Sequence, residues 1–135
     1  MSLPPDLASV LKRPSMYLPT ASYDAVVTYL LGYDAATQGG LLVGLREWLI
    51  VKLRDGNNLA WPALVLDLMQ RVRSRESTVD DAEKRAVAFL HETLEQFFSE
   101  RDARGGMRRI YGMYEAWLRQ QEWYTPSSPD WIPSD

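Results

Sequence analysis

Cysteine is absent from the 135 residues, which excludes a thiol nucleophile, thiolate zinc sites, iron–sulfur ligation and disulfide cross-links. Histidine occurs once, at position 91, and lysine three times against twelve arginines. His91 and Glu95 stand at i,i+4 and could offer two metal ligands from one helix face, but a usable site needs three or four. Position 88, where a carboxylate-bridged di-iron motif would want glutamate, is alanine. No metal and no cofactor is expected, and a polar helix face is the simpler reading of His91. The sequence has no Gly-x-Ser-x-Gly elbow, and no lysine–serine pattern follows Gly39-Gly40 or Gly105-Gly106, so neither a serine nucleophile nor a phosphate-cradling loop is indicated.

Long apolar runs are also missing. Leu41 to Leu53 is the longest mostly apolar stretch, it contains Arg46, Glu47 and Lys52, and it falls well short of the ~20 residues that span a bilayer. No leader pattern opens the chain. A soluble, cytoplasmic protein with no membrane partner is the expectation. Fifteen basic residues against eighteen acidic ones give a net charge of −3, which repels polyphosphates at long range and argues against nucleic acid as a partner.

What the chain does have is helical periodicity. Four prolines before position 22 restrict regular structure there to a turn over Asp6–Leu11, and Pro14 disfavours helix at Arg13. Residues 13–20 are therefore expected to lie extended, anchored by Met16, Tyr17 and Leu18. Ser22 is a good N-cap for a helix running to about Gln38, with Tyr23, Val26, Val27, Leu30 and Tyr33 on one stripe. Leu42–Arg54 and Trp61–Val72 repeat the pattern, Pro62 suiting a first turn. Ser77 or Thr78 should cap a long helix to about Ala103, with Ala82, Ala86, Phe89, Leu90, Leu94 and Phe97 inward. In the last helix, Met107, Ile110, Tyr111, Tyr114, Trp117 and Leu118 recur at three and four. These elements predict an all-α fold: an irregular five- to six-helix bundle in one domain. Residues 1–21 form an extended arm, 22–122 the helical core and 123–135 a docked tail. Nine of the fifteen aromatic residues fall from Phe89 onward, which marks the C-terminal half as packing and directs the search for a functional surface to the first half.

The polar candidates are few. Glu47, Asp34, Asp67 and Glu115 lie in or beside apolar stripes, where a carboxylate can be buried and perturbed or simply paired with an arginine such as Arg46, Arg13 or Arg119. No catalytic residue stands out. Arg71, Arg73 and Arg75, then Arg101, Arg104, Arg108 and Arg109, are interleaved with acids and read as solvated helix ends. The middle of the chain concentrates residue types that favour interfaces or buried polar networks: Tyr33, Asp34, Arg46, Glu47, Asn57, Asn58 and Trp61, with Trp48 among them. Together with Arg13 and Tyr17, the seven before Trp48 are the candidate binding residues. Antiparallel packing of the helices from Ser22 and Leu42 would put Tyr33 and Asp34 near the start of the second, away from the Asn57 loop.

Two resemblances attach to these residues. Arg13-Pro14-Ser15-Met16-Tyr17-Leu18 resembles the Arg-Pro-Gly-Met-Tyr-Ile stretch of gyrase B-type ATPases, but the magnesium-binding helix and the Asp-x-Gly-x-Gly turn of that family have no counterpart here. More broadly, Arg-Pro-Ser-Met-Tyr at 13–17, Gly32-Tyr33-Asp34, Arg46-Glu47-Trp48-Leu49, Asn57-Asn58-Leu59-Ala60-Trp61-Pro62 and a tail ending near Pro-Asp-Trp-Ile-Pro resemble small single-domain bacterial proteins common in actinomycetes, some of which are similar to immunity proteins of secreted toxins. The resemblance implies a protein-binding module, an immunity or antitoxin-like inhibitor acting through its surface on a protein partner. Two alternatives remain open on the residues alone. One is a small-molecule binder or enzyme with a polar pocket around Arg13, Asp34, Arg46, Glu47 and Asn58. The other is a homodimer joined by the aromatic stripe of the last helix.

Overall fold

The computed structural model describes residues 3–72 and 79–125. The described residues form helices and no strand: α1 (Pro5–Lys12), α2 (Pro14–Tyr17), α3 (Tyr23–Ala36), α4 (Leu45–Leu53), α5 (Trp61–Val72), α6 (Val79–Asp102) and α7 (Gly106–Arg119). The all-α class is as the periodicity requires. The expected caps at Ser77 and Thr78 and the tail from 126 onward lie outside the described residues.

Three local expectations need correction. Residues 13–20 are not extended throughout, because Pro14 opens the four-residue helix α2. The proline does exclude Arg13 from a helix (φ −136°, ψ 65°), yet its own fixed φ and missing N–H suit a first helical position. Met16 and Tyr17 do not anchor the segment, being 65% and 55% exposed; Leu18 alone of the three packs against the core. The N-terminal stretch is not an arm either. Leu3, Leu7, Val10 and Leu11 are buried, and α1 packs on α6.

Helix α6, about 36 Å long for its 24 residues, is the spine: α1, α3, α5 and α7 all pack against it, while α4 is held between α5 and α7. Its buried stripe runs through Ala86, Phe89, Leu90, Leu94 and Phe97 as expected, joined by Val87 and Phe98, whereas Ala82 is exposed. Phe97 and Phe98 are fully buried with rings 5.4 Å apart, and Trp48 of α4 meets Phe97 edge-on at 5.8 Å. Each such ring removes enough apolar surface from water to contribute ~2–3 kcal/mol. A single core results, reaching from Leu3 to Trp117.

The entry into α3 shows how tertiary contacts finish what local capping starts. Ser22 Oγ accepts from the Ala25 N–H at 3.1 Å, and the Tyr23 N–H donates to the Glu83 carboxylate of α6 at 2.7 Å. Two of the orphan donors of the first turn are thereby satisfied. The Tyr23 hydroxyl crosses to α5 and donates to the Pro62 carbonyl at 2.7 Å, tying three helices together.

Arg101 also departs from the sequence reading. It is not part of a solvated end: it is 8% exposed, and its guanidinium donates to the carbonyls of Leu41 (2.6 Å), Val43 (3.2 Å) and Gly40 (3.4 Å). It lies over Phe97 and Phe98 at about 5 Å. The loop before α4 is fixed to the end of α6 by this one side chain.

Candidate functional site

The turn between α4 and α5 is built by its own sequence and then held from three sides. Arg54 ends α4 in the left-handed region (φ 56°), Asp55 Oδ1 accepts from the Gly56 N–H at 2.7 Å, and Gly56 takes φ 89°. A side chain at Gly56 would collide with Leu64, so glycine is needed for space as well as for conformation. Arg46 of α4 donates to the Leu59 carbonyl at 2.9 Å and to the carbonyl of Asn57. Arg71 of α5 donates to the Leu53 carbonyl at 3.1 Å and pairs with Asp55 and Asp67. From α7, the Tyr114 hydroxyl donates to Asn57 Oδ1.

Beside this turn is a recess of about 270 Å³ lined by Asp55, Asn57, Asn58, Trp117, Gln121 and Trp123. Its floor is buried Trp117, on which Tyr114 stacks at 6.3 Å, and whose carbonyl accepts from Gln121 at 3.0 Å. Trp123 meets Trp117 edge-on at 6.0 Å while remaining 58% exposed. Amide side chains donate and accept, so the recess offers bidirectional hydrogen bonding beside an exposed indole.

The candidate residues fall in separate places. Arg46, Asn57 and Asn58 belong to the recess or its support, and Trp61 follows as the half-buried first residue of α5. Tyr33 and Asp34 lie elsewhere, as the antiparallel packing suggested: Asp34 Oδ1 accepts from the Leu42 N–H at 2.9 Å, pinning the end of α3 to the start of the next segment. The Tyr33 hydroxyl donates to Asp6 at 3.2 Å, and desolvation first, then the Asp6 charge, pushes its pKa up. Arg13 borders another cavity, against α6, and Tyr17 projects from α2 into solvent. Glu47 faces α7: desolvation and then the Glu47 charge push the Tyr111 phenol up. Arg13, Asp34, Arg46, Glu47 and Asn58 are thus distributed over different parts of the surface rather than gathered around one pocket.

Trp117, Gln121 and Trp123 are not among the sequence candidates: Trp117 is a core residue, as its place on the α7 stripe predicts, and it reaches the recess only through its inner surface. No spacing links position 57 to position 114 or 121; only the docking of α7 against α4 does. The recess consequently draws on both halves of the chain. Among the described residues no cluster of three or more His, Asp or Glu side chains is placed to hold a metal ion, and no helix is long and apolar enough to cross a membrane. Compared with known proteins, the chain matches no family model, no curated protein and no solved structure.

Proposed function

We propose that the protein is a binding module that recognises a protein partner through the recess between the 54–60 turn and the end of α7, in the manner of an immunity or antitoxin-like inhibitor. One observation carries the reading: Trp123 stands 58% exposed at the rim of an amide-lined recess whose turn is held by hydrogen bonds from α4, α5 and α7. Tryptophans in such positions are the residues whose truncation weakens complexes most, by ~2 kcal/mol or more. A preorganised turn also avoids the entropy of ordering a loop on association. Surface complementarity of this kind requires no chemistry from the residues involved. The 13–17, 46–49 and 57–62 segments resemble small bacterial proteins common in actinomycetes, and some small proteins of that general kind resemble immunity proteins, which is the source of the inhibitor reading.

The test begins with the genetic locus. A secreted nuclease or protease encoded beside this gene supports inhibition, and its purified product should bind this protein; a metabolic operon argues against it. Trp123→Ala should weaken that complex about 30-fold, and Asn58→Ala, which removes an exposed amide, about fivefold to tenfold. Circular dichroism should show both variants folded. Unchanged affinity in Trp123→Ala would move the interface elsewhere.

A further inference from the structure

A cavity of about 660 Å³ opens where α1 and α2 meet α6, on residues the recess does not use. Its charged lining among the described residues is basic: Lys12 and Arg13 from the end of α1, Lys84 from α6, and His91 two turns further along the same face of α6. No aspartate or glutamate is among its described lining residues, in a chain whose net charge is −3. Lys12 and Arg13 alone could be explained by the negative end of the α1 dipole, but Lys84 reaches the same space from a different helix. Lys12, Arg13 and Lys84 make no ion pair among the described residues.

His91 closes the far end of the cleft: its Nε2 is shut off from solvent and faces Glu95 Oε1 at 3.1 Å, which leaves the three cations of the mouth to meet a ligand. The remaining wall is apolar, from Leu11, Pro14, Val87 and Ala88. Its volume falls in the range of small-ligand pockets, ~300–1,000 Å³.

We propose that this cleft binds a small organic anion, a carboxylate or phosphate ester carrying a short alkyl or aryl group. The acid group would lie among Lys12, Arg13 and Lys84, and the apolar part against Val87 and Ala88. This assignment is independent of the Trp123 recess.

Titration of the full-length protein with hexanoate, hexyl phosphate, inorganic phosphate, hexanol and hexyltrimethylammonium, followed through the amide resonances of Val87, Ala88 and His91, tests it. Saturable shifts with hexanoate or hexyl phosphate, absent with hexanol and hexyltrimethylammonium, are expected. The tighter of the two acids identifies the head group, and inorganic phosphate should bind more weakly than hexyl phosphate because it lacks the alkyl chain. Arg13→Gln/Lys84→Gln should weaken binding about tenfold or more. Arg104→Gln/Arg119→Gln, which removes the same charge elsewhere, should leave it unchanged. Equal shifts with hexanol or hexyltrimethylammonium, no saturation by either acid at ~10 mM, or wild-type affinity in Arg13→Gln/Lys84→Gln would overturn the proposal. The ligand comparison on the wild-type chain stands whether or not the variants fold.

Discussion

Arg101 is a guanidinium at a site almost closed to water: its Nε donates to the Asp102 carboxylate at 3.2 Å, and its Nη1 is directed at backbone carbonyls. A planar guanidinium can serve Leu41, Val43 and Gly40 at once while lying on two phenyl rings; an ammonium cannot. Arg101→Ala should therefore lower unfolding free energy by ~3 kcal/mol, since it strips the 40–43 carbonyls of their donor and leaves a void. Arg101→Lys should recover only part of this loss. Urea denaturation measures both, and an unchanged midpoint in Arg101→Ala would contradict the assignment. The residue was illegible in the sequence because Glu100, Asp102 and Arg104 surround it as they would at any solvated helix end. Only the approach of a loop 60 residues away changes its meaning.

Tyr23 makes a complementary residue-scale prediction. Burial, reinforced by the Asp24 charge, pushes its phenol well above the ordinary value of 10. The folded state thus disfavours the phenolate, so the stabilisation is complete below pH ~10, where the unfolded chain also keeps the proton, and is lost as pH rises from there toward the folded-state value. Tyr23→Phe should cost ~1 kcal/mol at neutral pH by leaving the Pro62 carbonyl without its donor. It should also flatten the alkaline loss of stability. Thermal melts between pH 8 and pH 11 check both the sign and the variant; an alkaline limb of wild-type steepness in Tyr23→Phe would assign the loss to other groups.

At the scale of elements, what the sequence made legible is what depends on local rules. Ser22 as a cap, Trp61–Val72 as a helix and the Ala86–Phe97 stripe follow from side-chain chemistry and 3.6-residue spacing alone. The misread segments are those where a neighbour intervenes. Pro14 keeps Arg13 out of a helix as its chemistry predicts, but it begins α2 where an extended segment is expected, and Met16 and Tyr17 face solvent while α1 supplies buried Leu7, Val10 and Leu11 to that end. The α6–α7 joint gives a sharp test. Gly105 takes φ 72° with open space around it, whereas a side chain at Gly106 would overlap the carbonyl oxygens of Glu100 and Arg101. Gly105→Ala should cost ~1–2 kcal/mol from left-handed strain alone. Gly106→Ala should cost several kcal/mol, because the clash is with backbone that cannot rotate away. Equal costs in chemical denaturation would show that the two helices are not as closely joined as the structure places them.

For the whole molecule, the position of α7 decides most of what the surface can do. Its aromatic stripe is used within the chain: Ile110 and Trp117 are buried, and Tyr114 packs against the core. Most of that stripe is therefore covered within the chain; of its members Tyr111 stays exposed, beside Met113 and among charged residues. Light scattering at high concentration is accordingly expected to give a monomer, and a dimer would require a different face. The same docking explains why the candidate site was only partly visible in the sequence. Arg46, Asn57 and Asn58 lie close along the chain, but Trp117, Gln121 and Trp123 join them only in three dimensions, while Tyr33 and Asp34 go to the opposite end of α3.

The surface reading stands or falls on Trp123. The most direct measurement is the affinity of wild-type protein and Trp123→Ala for the product of any secreted nuclease or protease gene found beside this one, taken side by side by calorimetry. A complex that loses about 30-fold in Kd on truncation of the indole, with folding intact, is the expected result. Wild-type affinity in the variant, or no complex at all with that product, would contradict it.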